Sequence, residues 1–277
     1  AIYLAPSFVK PAECDELMAA ASQHLRGIAP SSTCSTAEED PARQRIAVTK
    51  LPVVFGLCDE LIRRTHTLLE EQLPYLTQSL FGQAGGLSDM DIAFSLNEPA
   101  VNVYSAGGEF SQHEDNHMIT VLVPLAKAED FSGGGTAFWP NTPSLAGGTS
   151  FTAGDSSGGD EQQEVGPAPP ECVLRSASGT LAAEYVAADE AEDESLRVRE
   201  TTGDGVIMLP TRGTAMLFVG SVTHAGVCVE DGVRMVWVAS FNLRPWKPGL
   251  RPSPGRLLVG NDRSLAQSFA AESHFAT

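Results

Sequence analysis

The first eighty residues carry apolar side chains at helical spacing. A short apolar segment at 2–4 predicts a strand, and the residues after Pro11 predict a first helix. A second helical period covers about residues 54–73. The segment 29–45, rich in Ser, Thr, Pro and charge, predicts a loop between the two helices. Residues 1–85 are therefore expected to form a helical N-terminal support. The first helical face comprises Leu17, Met18, Ala21 and Leu25.

Beyond Phe81 the pattern changes from helical periods to short apolar segments. These segments are separated by Gly, Pro and Asp signals and are too short for typical helices. Many short strands at such spacing are typical of a sandwich or barrel. The sequence therefore predicts a mainly β fold with flanking helices. The segments are DIAFSLNEPAVNVYS, HMITVLVPL, TAFW, VIMLP, TAMLFVG and VRMVWVASFNL.

Residues 141–204 interrupt the series of predicted strands. The first half of this segment is poor in large apolar side chains, and the second half contains the acidic run ADEAEDE. Because such a composition buries little apolar surface, we expect an acidic, partly mobile insertion. The stretch CVLRSASGTLAAEYVA inside it is apolar enough to add a strand or two.

Composition narrows the class of partner. A chain of 277 residues with 42% hydrophobic residues can bury a substantial core. The formal net charge of −17 opposes attraction to nucleic-acid backbones and anionic membranes. A cationic peptide or a small metabolite is therefore the better-matched partner. Two short basic segments, 43–45 and 244–256, leave a nucleic-acid substrate as a less favoured alternative.

The five cysteines are scattered and form no Cys-x-x-Cys pair, which argues against a disulfide framework or a zinc knuckle. This cysteine usage favours a reducing compartment, cytoplasmic or nuclear. The first residues lack the pattern of a signal peptide. Because the chain begins at Ala rather than Met, an earlier targeting segment, and with it the secretory pathway, stays open. The sequence gives no indication of oligomeric state.

A cluster of polar residues at 113–117 precedes a strand-like segment and suggests a metal site. In an extended strand, side chains two positions apart point the same way, which would place His113 and Asp115 together and Glu114 on the other side. His224 follows the segment TAMLFVG, and antiparallel pairing would bring it opposite. Two histidines and one carboxylate on one face of an octahedron form the facial triad of non-haem Fe(II) oxygenases. The alternative is a solvated turn with an ordinary turn histidine.

Arg234 leads into the very apolar segment MVWVASF. An arginine that enters a buried strand needs an anion, and its planar fork suits a carboxylate. An Fe(II) site beside such a residue would suit a 2-oxo acid such as 2-oxoglutarate, which chelates the metal and carries a distal carboxylate. The alternative for Arg234 is a surface salt bridge with Glu230 or Asp231.

Several motifs occur in the order typical of the Fe(II)/2-oxoglutarate-dependent dioxygenases. They are NVYSAGGEFSQHED, TVLVPL, DFSGGGTAFWP and LPTRGTAMLFVGSVTHAGVCVEDGVRMVWVASF. Over residues 101–140 and 205–243 the chain resembles this family, most closely its prolyl 4-hydroxylase and lysyl hydroxylase branch. The resemblance implies a double-stranded β-helix (a cupin-like jelly-roll) over 86–245, within a single domain 1–277 that ends in a C-terminal extension, 246–277.

The resemblance also implies roles for individual residues. Arg234 would bind the C5 carboxylate of 2-oxoglutarate, and Tyr104 would contact the same cosubstrate, although an aromatic residue in a strand is more commonly part of a core. Thr120, at the start of the strand beside the pocket, is expected to add a hydroxyl contact. The implied Fe(II) ligands, which complete the catalytic set with Arg234, are His113, Asp115 and His224.

The activity implied by the resemblance is hydroxylation of a peptidyl prolyl or lysyl residue. O2 would be consumed while 2-oxoglutarate is decarboxylated to succinate and CO2, with ascorbate as a reductant. The long insertion departs from the family near the region where its members handle substrate, so two alternatives stay open. One is hydroxylation of a free amino acid or other small metabolite, and the other is a non-catalytic jelly-roll module that binds a peptide.

Overall fold

The N-terminal part of the chain forms helices that pack on a large β-sheet. A computed structural model describes residues 2–27, 42–139, 171–175, 180–185, 196–200 and 205–244. Within these ranges the helices are α1 (Pro11–Gly27), α2 (Phe55–Glu71) and α3 (Pro74–Phe81). Helices α1 and α2 confirm the two predicted helical periods.

Helix α3 was not predicted. Pro74 occupies its first turn, where a missing N–H costs nothing, and Gly82 ends it in the left-handed conformation with φ 73°. The helical spacing of its few apolar residues is too short to be recognised as a separate period. The break between α2 and α3 therefore depends on proline and glycine rather than on hydrophobic pattern.

Short strands make up most of the remaining described residues. They are β1 (Ile2–Ala5), β2 (Arg43–Ala47), β3 (Asp91–Phe94), β4 (Ala100–Tyr104), β5 (Phe110–His113), β6 (Ile119–Pro124), β7 (Phe131–Gly133), β8 (Thr136–Phe138), β9 (Glu171–Arg175), β10 (Thr180–Tyr185), β11 (Leu196–Glu200), β12 (Val206–Pro210), β13 (Ala215–Val219), β14 (His224–Gly226), β15 (Val229–Gly232) and β16 (Arg234–Arg244).

Two sheets face each other across the molecule. The major sheet has the order β2-β4-β16-β6-β13-β1-β10-β9, with β3 also paired to β16, and the minor sheet has the order β11-β12-β8-β14-β5. Side chains of β1 and β13 in the major sheet form one buried cluster with those of β8 and β12 in the minor sheet. The small β7–β15 pair stands apart from both. This arrangement is the expected mainly β, double-stranded β-helix (jelly-roll) with flanking helices.

The central strand β16 of the major sheet is buried on both faces, as the alternation of its side chains shows. Residues 235, 237, 239, 241 and 243 belong to the cluster that also contains the inward faces of α1 and α2. The intervening residues 234, 236, 238 and 240 line a cavity between the sheets. Because successive side chains of a strand point to opposite faces, one strand joins the helical layer to the cavity.

The predicted loop 29–45 was wrong at its C-terminal end. Arg43–Ala47 form strand β2, which pairs antiparallel with β4 at the edge of the major sheet. Edge strands tolerate polar and charged side chains, so the RQR sequence carries no apolar alternation that would reveal a strand. Residues 29–41 of that predicted loop lie outside the described residues.

The insertion contributes strands to both sheets. Strands β9 and β10 fall where CVLRSASGTLAAEYVA was expected to add them, and β10 pairs parallel with β1. Strand β11, at the end of the acidic run, pairs with β12 and was not predicted. The remainder of the insertion and the C-terminal extension 246–277 lie outside the described residues. No helix among the described residues is long and apolar enough to cross a membrane.

Candidate metal centre and its cavity

Strand pairing brings His113 and His224 together. His113 ends β5, His224 begins β14, and the antiparallel register places them directly opposite, with ring centroids 4.2 Å apart. The rings of Phe138 and Phe218 pack around His224, which is 5% exposed. The expected antiparallel approach is confirmed, although His224 does not extend β13, because that strand ends at Val219.

Asp115 lies beyond the end of β5, so the expectation that it continues the same strand as His113 was wrong. Its backbone N–H donates to the carbonyl of Gly220, at 2.8 Å. A Cβ on Gly220 would lie 1.9 Å from the carbonyl oxygen of His117, so a side chain there would push the two segments apart. A close backbone approach, rather than strand alternation, therefore positions Asp115.

The carboxylate of Asp115 faces both imidazoles. Its Oδ1 lies 3.6 Å from Nε2 of His113, and its Oδ2 lies 3.7 Å from Nε2 of His224. One ligand atom from each of the three residues lies within 4.8 Å of the others. These separations exceed hydrogen-bond length and leave room for an ion among the three atoms.

The other nitrogen of each imidazole is already hydrogen-bonded. Nδ1 of His113 lies 2.8 Å from the carbonyl oxygen of Ser111, and Nδ1 of His224 lies 3.0 Å from that of Val222. A carbonyl accepts, so each Nδ1 carries a proton, and in a neutral ring Nε2, the nitrogen that faces Asp115, is then the one with a lone pair. Backbone carbonyls commonly orient metal-binding histidines in this way. The donor set therefore fits a divalent transition-metal ion.

The pKa shifts of His224 and Asp115 favour the protonation states that bind a cation. Burial lowers the pKa of His224, which favours its neutral, metal-binding form. For Asp115, burial acts to raise the pKa, but contacts with His113 and Thr120 outweigh it and lower the pKa to about 2. The carboxylate is therefore ionised at neutral pH.

Two hydroxyl groups on neighbouring strands hold the Asp115 carboxylate. Thr120 of β6 donates from Oγ1 to Oδ2 of Asp115, and Ser240 of β16 lies directly opposite Thr120 in the sheet. Oγ of Ser240 is 3.2 Å from Oγ1 of Thr120 and 3.5 Å from Oδ2 of Asp115. Sequence analysis missed Ser240, although it is a polar residue at a cavity-facing position of an otherwise apolar strand. The cosubstrate contact expected of Thr120 stays a prediction.

Arg234 is a buried cation in the same cavity. It is 4% exposed, its Nη2 donates to Oγ1 of Thr136 at 3.1 Å, and its guanidinium carbon lies 5.4 Å from the ring centroid of Tyr104. Tyr104 is directly opposite Arg234 in the sheet, and burial lowers the pKa of Arg234. Among the described residues Arg234 has no carboxylate partner within ion-pair distance, so the salt bridge to Glu230 or Asp231 does not form.

The glycine run of DFSGGGTAF makes room for that arginine. Gly134 has φ +63°, and a Cβ there would lie 3.1 Å from Cδ of Arg234 and 2.9 Å from the ring of Phe131. The run precedes β8 rather than a helix, unlike a phosphate-binding loop. These glycines therefore provide a tight turn and close packing beside Arg234.

One cavity of about 220 Å³ is lined by the three candidate metal ligands and also by Tyr104, Thr120 and Arg234. Glu98, whose side chain is 4% exposed, also lines this cavity and accepts hydrogen bonds from Arg45 and from the backbone N–H of Ser240. Sequence analysis assigned no role to Glu98. Glu98 therefore connects Arg45 of the edge strand β2 to Ser240, which lies beside the carboxylate of Asp115.

No protein-family model and no curated protein matches the sequence. Among solved structures, EvdO2 from Micromonospora carbonacea var. aurantiaca, also solved with 2-oxoglutarate, aligns with 91% of this chain and 90% of its own, at 13% identity and TM-score 0.48. A Pseudomonas putida prolyl-4-hydroxylase aligns over 88% of this chain and 92% of its own, at 10% identity and TM-score 0.39. The non-heme alpha ketoglutarate dependent epimerase SnoN from nogalamycin biosynthesis aligns over 92% and 86%, at 13% identity and TM-score 0.40. At such identities an activity does not transfer from one protein to another.

Proposed function

We propose that this protein is an Fe(II)- and 2-oxoglutarate-dependent oxygenase that hydroxylates a peptidyl prolyl or lysyl residue. The observation that carries the proposal is the presence, in one cavity, of a three-ligand cluster and a buried arginine without a carboxylate partner among the described residues. Each feature alone has an ordinary structural explanation. Together they match a ligand that binds a metal at one end and carries an anion at the other.

The proposed metal ligands are His113, Asp115 and His224. They supply two neutral nitrogens and one anionic oxygen, the donor set preferred by non-haem Fe(II), and leave further coordination positions for small molecules. When bound, Fe(II) together with 2-oxoglutarate and O2 would supply the oxidising power to hydroxylate a C–H bond, with succinate and CO2 as co-products. The Nδ1 hydrogen bonds to Ser111 and Val222 would fix the orientation of both rings.

Arg234 is the proposed anchor for the distal carboxylate of 2-oxoglutarate. Burying an unpaired guanidinium costs several kcal/mol, roughly, unless an anion offsets the lost hydration. Thr136 accepts one of its hydrogen bonds, and the planar fork has further donors for a carboxylate. Tyr104, opposite in the sheet, would hold the guanidinium in place and contact the cosubstrate.

The motif order of the sequence supports the prolyl or lysyl substrate. The motif DFSGGGTAF, which resembles the lysyl hydroxylases most closely, contains the turn that packs against Arg234. Ascorbate is proposed as the accompanying reductant. A succinate-release screen with Fe(II) and ascorbate, against Pro- and Lys-containing peptides and against free amino acids, would identify the substrate class.

Anaerobic addition of Fe(II) and 2-oxoglutarate tests the proposed reaction class without a known substrate. Chelation of the metal by the 2-oxo acid should produce a weak metal-to-ligand charge-transfer band. When O2 is then admitted, the Asp115→Ala variant, which loses the anionic ligand, should release no succinate and serves as the negative control. If the wild-type protein forms no band, the proposal is wrong.

A further inference from the structure

An arginine at the edge of the major sheet extends the row of residues that contains Arg234. In this sheet Arg43 of β2 is directly opposite Tyr104 of β4, and Tyr104 is directly opposite Arg234 of β16. Directly opposite residues of antiparallel strands point to the same face. Arg43, Tyr104 and Arg234 therefore form one row on the cavity side, with a cation at each end.

The two cations of this row have different surroundings. Arg234 is buried on a central strand, whereas Arg43 is half-buried on an edge strand. The guanidinium carbon of Arg43 lies 4.2 Å from the ring centroid of Phe110. That ring in turn meets the ring of His113 edge-on, with centroids 4.3 Å apart. The ring of Phe110 therefore lies between Arg43 and His113 and contacts both.

Charge at this edge of the cavity is not balanced. Arg45, which shares a face with Arg43, is matched by Glu98. Arg43 forms no salt bridge within the described part of the chain. Among the described residues Arg43 is therefore a second cation without a carboxylate partner, in addition to Arg234, in a protein of net charge −17.

We propose that Arg43 binds a carboxylate of the organic substrate and so directs the substrate to the metal cluster, an inference that rests on the proposed oxygenase function. A guanidinium stacked on an aromatic ring keeps its in-plane N–H donors free for a planar anion. A carboxylate is a planar monoanion that can accept two parallel hydrogen bonds from this guanidinium and neutralise its single charge. Phe110 provides the apolar surface for the carbon skeleton next to that carboxylate.

A carboxylate at this position has two sources. It is either the α-carboxylate of a free amino acid or an acidic side chain near the target residue of a peptide. Matched pairs distinguish them: L-proline with L-prolinamide, L-lysine with L-lysinamide, and a Pro-containing peptide with Glu beside the proline against the same peptide with Gln. Each pair differs in the acid group alone.

Anaerobic calorimetry on the protein loaded with Fe(II) and 2-oxoglutarate measures the dissociation constant of each probe. We expect at least one acid to bind more tightly than its amide. Arg43→Gln should raise the dissociation constant of that acid by about tenfold to hundredfold, as expected for loss of a charged hydrogen bond, and should leave the dissociation constant of the amide unchanged. Arg43→Lys should recover part of the loss because it restores the charge without the fork.

Arg244→Gln is the matched control. Arg244 lies at the far end of β16 with a side chain 61% exposed and paired to Asp91, so its loss changes the net charge equally, away from the cavity. Acid binding should be unchanged in this variant. Equal binding of acids and amides, equal loss of both in Arg43→Gln, or failure of every acid to bind would each overturn the role of Arg43. Formation of the charge-transfer band by the wild type without any probe tests the proposed oxygenase function separately.

Discussion

Thr120 donates its hydroxyl hydrogen to the carboxylate of Asp115, so a residue of strand β6 orients a proposed metal ligand that lies in a loop. Removing this hydrogen bond in Thr120→Val should weaken Fe(II) binding by about tenfold to hundredfold, because outer contacts of this kind tune metal ligands. Anaerobic metal titration measures the effect.

A second buried threonine provides the control for that experiment. Thr77 of α3 donates to the carbonyls of Leu69 and Leu73, away from the cavity. Thr77→Val should lower the free energy of unfolding by about 1 kcal/mol and leave Fe(II) affinity unchanged. Equal metal affinities in Thr120→Val and the wild type would remove Thr120 from the proposed metal site.

Arg234→Ala should separate cosubstrate binding from metal binding. Loss of a buried partner for a carboxylate is expected to raise the 2-oxoglutarate dissociation constant by about hundredfold or more, whereas Fe(II) affinity should change little. Anaerobic titration with Fe(II), followed by titration of the Fe(II)-loaded protein with 2-oxoglutarate, gives the two constants. Parallel loss of both would contradict the assigned role of Arg234, and Arg234→Lys should retain part of the cosubstrate affinity.

Gly220→Ala should damage the metal centre through the backbone. The new Cβ would lie 1.9 Å from the carbonyl oxygen of His117 and 2.7 Å from that of Asp115. We expect a loss of about 2–4 kcal/mol in the free energy of unfolding, together with weaker Fe(II) binding. Gly56→Ala is the control, because a Cβ added at this position of helix α2 would have no neighbour within 4 Å in the described part of the chain. A gain of up to about 1 kcal/mol in the free energy of unfolding is expected there.

We expect His66 to make the free energy of unfolding depend on pH. It is 2% exposed, neither ring nitrogen has a hydrogen-bond partner among the described residues, and burial lowers its pKa from 6.5 to about 4. Above pH 6.5 the residue is neutral in both the folded and unfolded states and has no effect on the pH dependence. Between pH 6.5 and 4 the unfolded state binds the proton first, so the free energy of unfolding should fall by about 3 kcal/mol.

Urea unfolding of His66→Leu at pH 7.5 and pH 4.5 measures this contribution. The drop in stability between the two pH values should be smaller in the variant than in the wild type. His24→Leu, at a half-buried position of α1, controls for the removal of a histidine and should keep the wild-type drop. An unchanged drop in His66→Leu would show that His66 does not carry the pH dependence.

Hydrophobic pattern was sufficient to predict the strands with long apolar segments, such as β6, β13 and β16, as well as helices α1 and α2. It was not sufficient for β2, whose sequence RQRIA has few apolar residues because it forms a sheet edge. Strand β14 is only three residues long and follows a turn, so a strand period could not be recognised. Its pairing with β5 depends on the complete sheet.

The candidate site shows the same division. His113, Asp115, His224 and Arg234 belong to residue types whose chemistry is recognisable from spacing, and the structure places all four in one cavity. Ser240, Glu98 and Arg45 contribute through contacts between segments that are distant in the sequence. A single sequence contains no local signal for such contacts, because they depend on the pairing of β6 with β16 and on the loop before β4, which meets both β2 and β16.

The alternation along β16 predicts two distinct classes of defect in a saturation mutagenesis experiment. Substitutions at 235, 237, 239 and 241 should reduce the amount of folded protein, because these side chains pack against the helices. Substitutions that change the polarity or size of residues 236, 238 and 240 should instead yield folded protein with altered ligand affinity, because these side chains line the cavity. Abundance and binding scores plotted along this strand should therefore oscillate out of phase with a period of two residues.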